Sequence, residues 1–162
     1  MSLAQAIKSK RGQGDLWGTP FDLFLEIGCR YFPGEELFDP CPNRNRPIPN
    51  THFNEGDWDG LTGKWPPKEA FFCNPPFSAI APWVEIGCRH RGAFLVPVRS
   101  DQTWFQKYAA LARVVLIGGR VKYVNPETGT QGGSPSFASC LLLCGRGPGI
   151  EFWTPHCHNR KK

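Results

Sequence analysis

The residues best suited to chemistry are Asn74-Pro75-Pro76-Phe77, which directly follow an apolar run at 70–73. Two consecutive prolines end a strand, because each lacks an N–H and has a fixed φ angle. The Asn74 side-chain oxygen and the Pro75 carbonyl would be rigid acceptors for the hydrogens of a planar amine, and Phe77 could stack on its ring. Such acceptors would direct the nitrogen lone pair at an electrophile. A proline-rich strand exit capped by Asn74 is the simpler alternative.

Alternating strands and helices would position residues 74–77, which we call the NPPF corner. Apolar runs predict strands at 36–38, 70–73, 92–98, 113–117, 137–144 and 150–153, and apolar residues at helical spacing predict helices near 20–32, 80–89 and 101–112. Thr19 would cap the first helix with Pro20 as its first residue, and Asp101 is a candidate cap for the third. Continuous apolar strands separated by helices indicate an α/β fold with a mostly parallel sheet. The last strands have no helix between them, which indicates an antiparallel hairpin at one edge of the sheet.

The totals favour one intracellular globular domain. The chain has 162 residues, of which 40% are hydrophobic and 13% aromatic, which is typical of a folded domain. We divide it into a flexible basic arm at 1–16, a single domain at 17–153 and a basic tail at 154–162. No apolar run reaches the roughly 20 residues of a membrane span, and no signal peptide is evident, so we expect a cytoplasmic protein. The net charge of +5 suits a nucleic-acid partner, although a basic soluble enzyme would also have it.

Seven cysteines raise the question of a metal site. Cys140 and Cys144 could join His156, Cys157 and His158 in a zinc cluster, which would make the protein a zinc-stabilised nucleic-acid binding module. Positions four apart on a strand are about 13 Å apart, however, which is too far for two ligands of one zinc. We therefore expect no metal site and no disulfides, with the strand cysteines buried as small apolar residues.

The NPPF sequence resembles the Asn-Pro-Pro-aromatic motif of S-adenosylmethionine-dependent methyltransferases that act on amine nitrogens. The wider pattern resembles the phage and prophage DNA N6-adenine methyltransferases. The matching segments, in chain order, are WGTP (17–20), FDPCPN (38–43), DGL (59–61), FFCNPPFS (71–78), PW (82–83), LVPVRSDQTWF (95–105), GGRVKY (118–123) and SPSFAS (134–139). NPPF alone is shared with protein-glutamine and ribosomal RNA methyltransferases, whereas the ordered set is more specific.

This resemblance implies an abbreviated Rossmann-like class I methyltransferase fold. It also implies methyl transfer from S-adenosylmethionine to the N6 atom of an adenine in DNA, with the adenine flipped out of the duplex. The residues carried over as catalytic, by binding the amine and the base, are Asn74, Pro75, Pro76 and Phe77. The residues carried over to the cofactor are Trp17, Thr19, Pro20, Asp39, Pro40, Cys41 and Asp59. One departure is that DPCPN replaces the glycine-rich turn that commonly follows the first strand of methyltransferases.

The sequence specifies the substrate that accepts the methyl group less closely than it specifies the cofactor. Candidate DNA contacts are Arg44, Arg46, Arg99, Lys122 and the glycine-rich loop at 125–135, for which solvated charge is the simpler explanation. RNA or a protein glutamine are alternative acceptors for the same fold and cofactor. Because the catalytic fold uses most of the chain, we expect very short or relaxed sequence recognition through loops and backbone contacts.

Overall fold

The computed structural model of the protein describes residues 17–159. The strands are β1 (Leu37–Phe38), β2 (Thr51–His52), β3 (Phe71–Cys73), β4 (Gly92–Pro97), β5 (Arg113–Ile117), β6 (Ser139–Cys144) and β7 (Gly149–Trp153). The helices are α1 (Phe21–Tyr31), α2 (Ile80–Gly87), α3 (Thr103–Ala109) and α4 (His156–Asn159), and a 3-10 turn covers Phe77–Ala79. The predicted basic arm at 1–16 and the last three residues of the predicted tail lie outside the described residues.

The seven strands form one mixed sheet in the order β2-β1-β3-β4-β6-β5-β7. Strand β6 is antiparallel to both of its neighbours, and all other strand pairs are parallel. The prediction of an α/β fold with a mostly parallel sheet is thus confirmed. The position of the antiparallel part was wrong, because β6 lies inside the sheet and pairs with β4 and β5. All six residues of β6 are buried, as a central strand requires, whereas β7 exposes Ile150 and Phe152 and takes the edge.

Two apolar layers cover the two faces of the sheet. On one face, α1 contributes Leu23 and Ile27 to a cluster that includes Phe72 of β3. On the other face, α2 contributes Trp83 to a cluster that includes Phe71, the neighbour of Phe72 on the strand. Successive side chains of a strand point to opposite faces, so β3 is apolar throughout because helices cover both of its sides. This packing fixes the end of β3, where the NPPF sequence begins.

Two helix caps differ from the sequence prediction. Helix α1 begins at Phe21 with Pro20 as its N-cap, so Thr19 lies outside the helix and does not cap it. The Pro20 carbonyl accepts a hydrogen bond from the backbone N–H of Phe24, and it thereby takes the N-cap position. Helix α3 begins at Thr103 with Gln102 as its N-cap, and no side chain caps it. Thr19 is therefore free of the capping role that its position before a proline suggests.

The cysteines and histidines of the zinc alternative lie in separate places. Cys140 and Cys144 are buried in β6, and the sulfur of Cys144 is 3.2 Å from that of Cys88. The other three residues lie on α4, where the backbone N–H groups of His156 and Cys157 donate to the carboxylate of Glu26 at 2.7 Å. Within residues 17–159, no group of three or more histidine, cysteine or acidic side chains is placed to hold a metal ion. Nor does this part of the chain contain a helix long and apolar enough to span a membrane.

Candidate active site

A cleft of about 510 Å³ lies at the carboxyl ends of β1 and β3. In the sheet, β1 and β3 are neighbours. The strand that follows β1 along the chain, β2, pairs with the edge of β1 that faces away from β3, and the strand that follows β3, β4, pairs with the edge of β3 that faces away from β1. Strand order therefore diverges between β1 and β3, which is where open α/β sheets bind their ligands. The lining residues are Trp17, Gly18, Thr19, Pro20, Phe21, Asp22, Asp39, Cys41, Pro42, Asn43, Arg46, Pro47, Ile48, Pro49, Asn74, Pro76, Val124, Pro126, Gly129 and Gln131. The cleft thus brings the NPPF corner together with the WGTP and DPCPN segments.

Asn74 presents an unpaired acceptor to this cleft. Its Nδ2 donates a hydrogen bond to the Trp17 carbonyl at 2.9 Å, and a carbonyl can accept only from the amide nitrogen. This bond fixes the orientation of the side-chain amide. The Oδ1 atom is buried and has no hydrogen-bond partner among the described residues. A buried acceptor without a partner costs about 1–3 kcal/mol, so this atom is poised to accept a hydrogen bond from a ligand.

Thr19 presents a second unpaired polar atom. It is 7% exposed, and its Oγ1 is buried with no partner in the described part of the chain. The segment is held by Gly18, whose N–H donates to the Val124 carbonyl and whose carbonyl accepts from the Val124 N–H, both at 2.8 Å. Because these backbone bonds fix the WGTP segment against the loop after β5, the Thr19 hydroxyl is available to a ligand in the cleft.

Asp39 is the buried acid of the cleft, at 4% exposure. It follows β1 directly, and its Oδ1 accepts a hydrogen bond from the Cys41 N–H at 2.9 Å. Burial raises the pKa of this carboxyl from 3.8 to about 7, and the Cys41 hydrogen bond opposes that rise. Near neutral pH, Asp39 can therefore exchange between its neutral and charged forms, and a cationic ligand would favour the charged form.

The glycine-rich loop forms a wall of the cleft. Gly129 has a positive φ of 72°, and a Cβ atom there would overlap the Arg46 guanidinium. At Gly132 a Cβ atom would overlap the Trp17 ring. These close approaches explain why glycine occupies both positions. They also place Arg46, which was predicted to contact DNA, inside the cleft.

Phe77 lies on the other side of the NPPF corner, beside a second cavity of about 250 Å³. Its ring makes edge contacts with the Tyr123 and Phe137 rings, at centroid distances of 5.4 and 5.5 Å. Trp104 and Arg99 also line this cavity. The NPPF corner therefore separates a larger cleft that contains Asn74 from a smaller, aromatic cavity that contains Phe77.

Three predicted residues near these cavities do not line the cleft, namely Pro40, Asp59 and Pro75. Asp59 accepts a hydrogen bond from the Leu61 N–H at 2.9 Å and so shapes its own turn. The next residue, Gly60, packs so closely on Pro40 that a Cβ atom would overlap the Pro40 carbonyl oxygen. The DGL segment therefore supports the end of β1 from outside the cleft.

The remaining predicted DNA contacts lie apart from the larger cleft. Arg44 donates to the backbone carbonyls of Asn54 and Trp58, at 3.3 and 3.2 Å, and so binds its own loop. Arg99 is exposed and pairs with Asp101 at 3.4 Å, and Lys122 is exposed.

Several lining residues were not among the predicted site residues, including Asp22 and Ile48, and Gln131 was predicted only as part of the loop at 125–135. Asp22 comes two residues after Pro20, so an extended WGTPFD motif would have included it. Ile48 follows the end of β1 in a proline-rich loop, and Gln131 belongs to the glycine-rich loop. Only the tertiary fold brings those two loops to the same cleft.

Comparison with known proteins identifies the family of the chain. Searches of curated proteins and of solved structures found no match to the chain. The family model described as DNA N-6-adenine-methyltransferase (Dam) matches residues 6–148, which is most of the chain. That range covers every segment on which the sequence resemblance rests, so the predicted family is confirmed. The chain belongs to the Dam family of DNA N-6-adenine-methyltransferases.

Proposed function

We propose that this protein transfers a methyl group from S-adenosylmethionine to the N6 atom of an adenine that is extruded from DNA. We further propose that its fold is a shortened Rossmann-like methyltransferase fold. The observation that carries the proposal is the Asn74 Oδ1 atom, which is buried and has no hydrogen-bond partner among the described residues, on an amide that Nδ2 anchors to the Trp17 carbonyl. Asn74 lines the cleft where strand order diverges, at the start of the motif that the resemblance assigns to the amine.

The cleft fits the proposed cofactor in size and in chemistry. Ligand pockets have volumes of roughly 300–1,000 Å³, and the cleft has about 510 Å³. Its side chains include two acids, Asp22 and Asp39, which suit a ligand with a sulfonium and an ammonium group. The unpaired Thr19 hydroxyl would bind a polar group of that ligand. Trp17, Thr19, Pro20, Asp39 and Cys41 are therefore the residues that we propose to hold the cofactor.

The NPPF residues would act by positioning the acceptor nitrogen. When bound, S-adenosylmethionine supplies an electrophilic methyl group on its sulfonium. Asn74 Oδ1 and the Pro75 carbonyl would accept hydrogen bonds from the two N6 hydrogens, which turns the nitrogen lone pair away from the adenine ring and toward the cleft. Pro76 keeps these acceptors rigid, because its ring fixes the backbone. Little reorganisation is then needed during the reaction.

The smaller cavity suits the base side of the acceptor. An adenine in duplex DNA is stacked and paired, so it must leave the helix before N6 can react. Phe77 offers a ring for stacking, and the neighbouring Arg99 supplies a positive charge near the backbone of the extruded nucleotide. Arg44 and Lys122 stay candidates for phosphate contacts outside both cavities. RNA and protein glutamine are the competing acceptors.

Two measurements test this proposal. The protein is incubated with labelled S-adenosylmethionine and separately with DNA, RNA and protein, followed by nucleoside analysis of the DNA. We expect N6-methyladenine in DNA; label in RNA or protein alone would refute the DNA acceptor.

Asn74→Ala should lower transfer about 10²–10³-fold while cofactor binding is retained. Asn54→Ala, at an exposed position outside the cleft, is the matched control. Retained turnover in Asn74→Ala would remove the corner from the active site.

A further inference from the structure

We propose that Arg46 binds the carboxylate of the methionine part of the cofactor, and that Gly129, which has no side chain, leaves the space that the guanidinium occupies. This inference rests on the proposed function. It assigns Arg46 to the cofactor and not to DNA, and it gives the glycine-rich loop a positioning role.

Among the described residues that line the cleft, Arg46 is the only lysine or arginine. The guanidinium makes no hydrogen bond, ion pair or ring contact with another described residue. Arg44, two residues earlier, differs in both respects, because it lies outside the cleft and donates to two backbone carbonyls. Residues 17–159 therefore bring to the cleft one cation, Arg46, whose guanidinium has unused hydrogen-bond donors.

The chemistry of the ligand matches this arrangement. S-adenosylmethionine has a single anionic group, the carboxylate, beside a cationic ammonium and a cationic sulfonium. Asp22 and Asp39 suit the cationic groups, and neither suits the carboxylate, which would be repelled by them. A guanidinium binds a carboxylate through two parallel N–H···O bonds, which fixes its orientation as well as its position. Arg46 is the side chain in the cleft that can do this.

Gly129 sets the position of the guanidinium. Its backbone has a φ of 72°, and a Cβ atom there would overlap Arg46 Nη1. Any other residue at 129 would displace the end of the arginine side chain. Gly56 provides a matched comparison, because it has a similar φ of 70° and a Cβ atom there would meet nothing within 4 Å. Alanine at 56 and at 129 would thus impose similar backbone strain, but only Gly129→Ala would move Arg46.

The test is calorimetric titration with S-adenosylmethionine and with its decarboxylated form, which lacks only the carboxylate. We expect Arg46→Gln to weaken binding of S-adenosylmethionine about tenfold, a loss typical of one charge-assisted contact at an exposed side chain. Binding of the decarboxylated form should not change. Gly129→Ala should show the same selective loss, whereas Arg120→Gln, at an exposed position outside the cleft, and Gly56→Ala should bind both compounds as the unmodified protein does.

The outcomes separate this inference from the proposed function. If the unmodified protein binds neither compound, the proposed function fails, and the inference fails with it. If the protein binds S-adenosylmethionine but Arg46→Gln weakens both compounds equally, or neither, the carboxylate assignment is wrong while the proposed function stands. If Arg46→Gln weakens DNA binding and leaves the cofactor affinity intact, Arg46 contacts DNA, as the sequence predicted.

Discussion

Replacing Asp39 with asparagine should remove the pH dependence that this one carboxyl imposes on stability. Asparagine has nearly the same shape and keeps an oxygen for the Cys41 N–H, so the 2.9 Å hydrogen bond can persist. The change removes only the ability to ionise. Asp39 is 4% exposed, and desolvation is the main cause of its raised pKa, so in the free protein the charged form is the costly one.

The magnitude follows from the two pKa values of Asp39. The pKa is about 7 in the folded protein against an ordinary value of 3.8. Between these values the folded state keeps a proton that the unfolded state has lost, so the free energy of unfolding falls as the pH rises. The slope is about 1.36 kcal/mol per pH unit between the two pKa values and falls to half of that at pH 7, which gives roughly 2.3 kcal/mol between pH 5 and pH 7. Above about pH 8 the carboxyl is ionised in both states, and its contribution becomes constant.

Urea unfolding of the cofactor-free protein at pH 5, 6, 7 and 8 measures this effect, provided that the slope with urea stays the same. Relative to the unmodified protein, Asp39→Asn should become more stable as the pH rises, by about 2–3 kcal/mol between pH 5 and pH 8. Asp57→Asn, at an exposed position, is the control and should show no such trend. Parallel pH curves for Asp39→Asn and the unmodified protein would refute the reasoning, because they would mean that Asp39 is already charged and well solvated.

Two further predictions concern packing and the acceptor. The sequence EIGCR occurs at 26–30 and at 85–89, and a Cβ atom at Gly28 meets nothing within 4 Å, whereas at Gly87 it would overlap the Phe94 ring. In urea unfolding, Gly28→Ala should therefore stabilise the protein by about 1 kcal/mol and Gly87→Ala should destabilise it by about 1–3 kcal/mol; equal effects would contradict the packing. Phe77→Leu keeps an apolar side chain but loses ring stacking, so KM for DNA should rise about tenfold with cofactor affinity intact. If Phe77→Leu also weakens cofactor binding, Phe77 acts on the larger cleft, which would contradict the proposal.

The sequence predicted the parts of the site that depend on local chemistry. An apolar run followed by two prolines identified the end of β3, and Asp39, the acid after β1, lines the same cleft as Asn74. The position of β6 was not predictable in this way, because an apolar run shows that a strand is buried but not which strands it pairs with. Thr19 before Pro20 has the local signature of an N-cap, yet the helix begins one residue later and leaves the hydroxyl in the cleft.

Two loops that line the cleft, one with Arg46 and one with Gly129, are far apart in the sequence. Arg46 and Gly129 belong to two loops, each rich in proline or glycine, and neither loop has a periodic pattern. Sequence reasoning therefore assigned the positive charge of Arg46 to DNA, the commonest anionic partner of a basic protein. In the structure Arg46 lines the cleft with its guanidinium close to Gly129, and its role in binding DNA stays a prediction.

Buried polar groups that lack a partner or favour a charged ligand occur on three residues that line the cleft. Of the five buried side-chain polar atoms that lack a partner within residues 17–159, two, Thr19 Oγ1 and Asn74 Oδ1, belong to residues that line the same cleft. Asp39, with its raised pKa, lines it too. Thr19 Oγ1 and Asn74 Oδ1 destabilise the free protein because they are buried without a partner, and Asp39 does so when it is charged because its carboxylate is desolvated. A ligand with hydrogen-bond donors and a positive charge would satisfy all three at once. Their concentration at the strand ends, where packing alone would favour apolar residues, is the strongest physical reason to place the chemistry there.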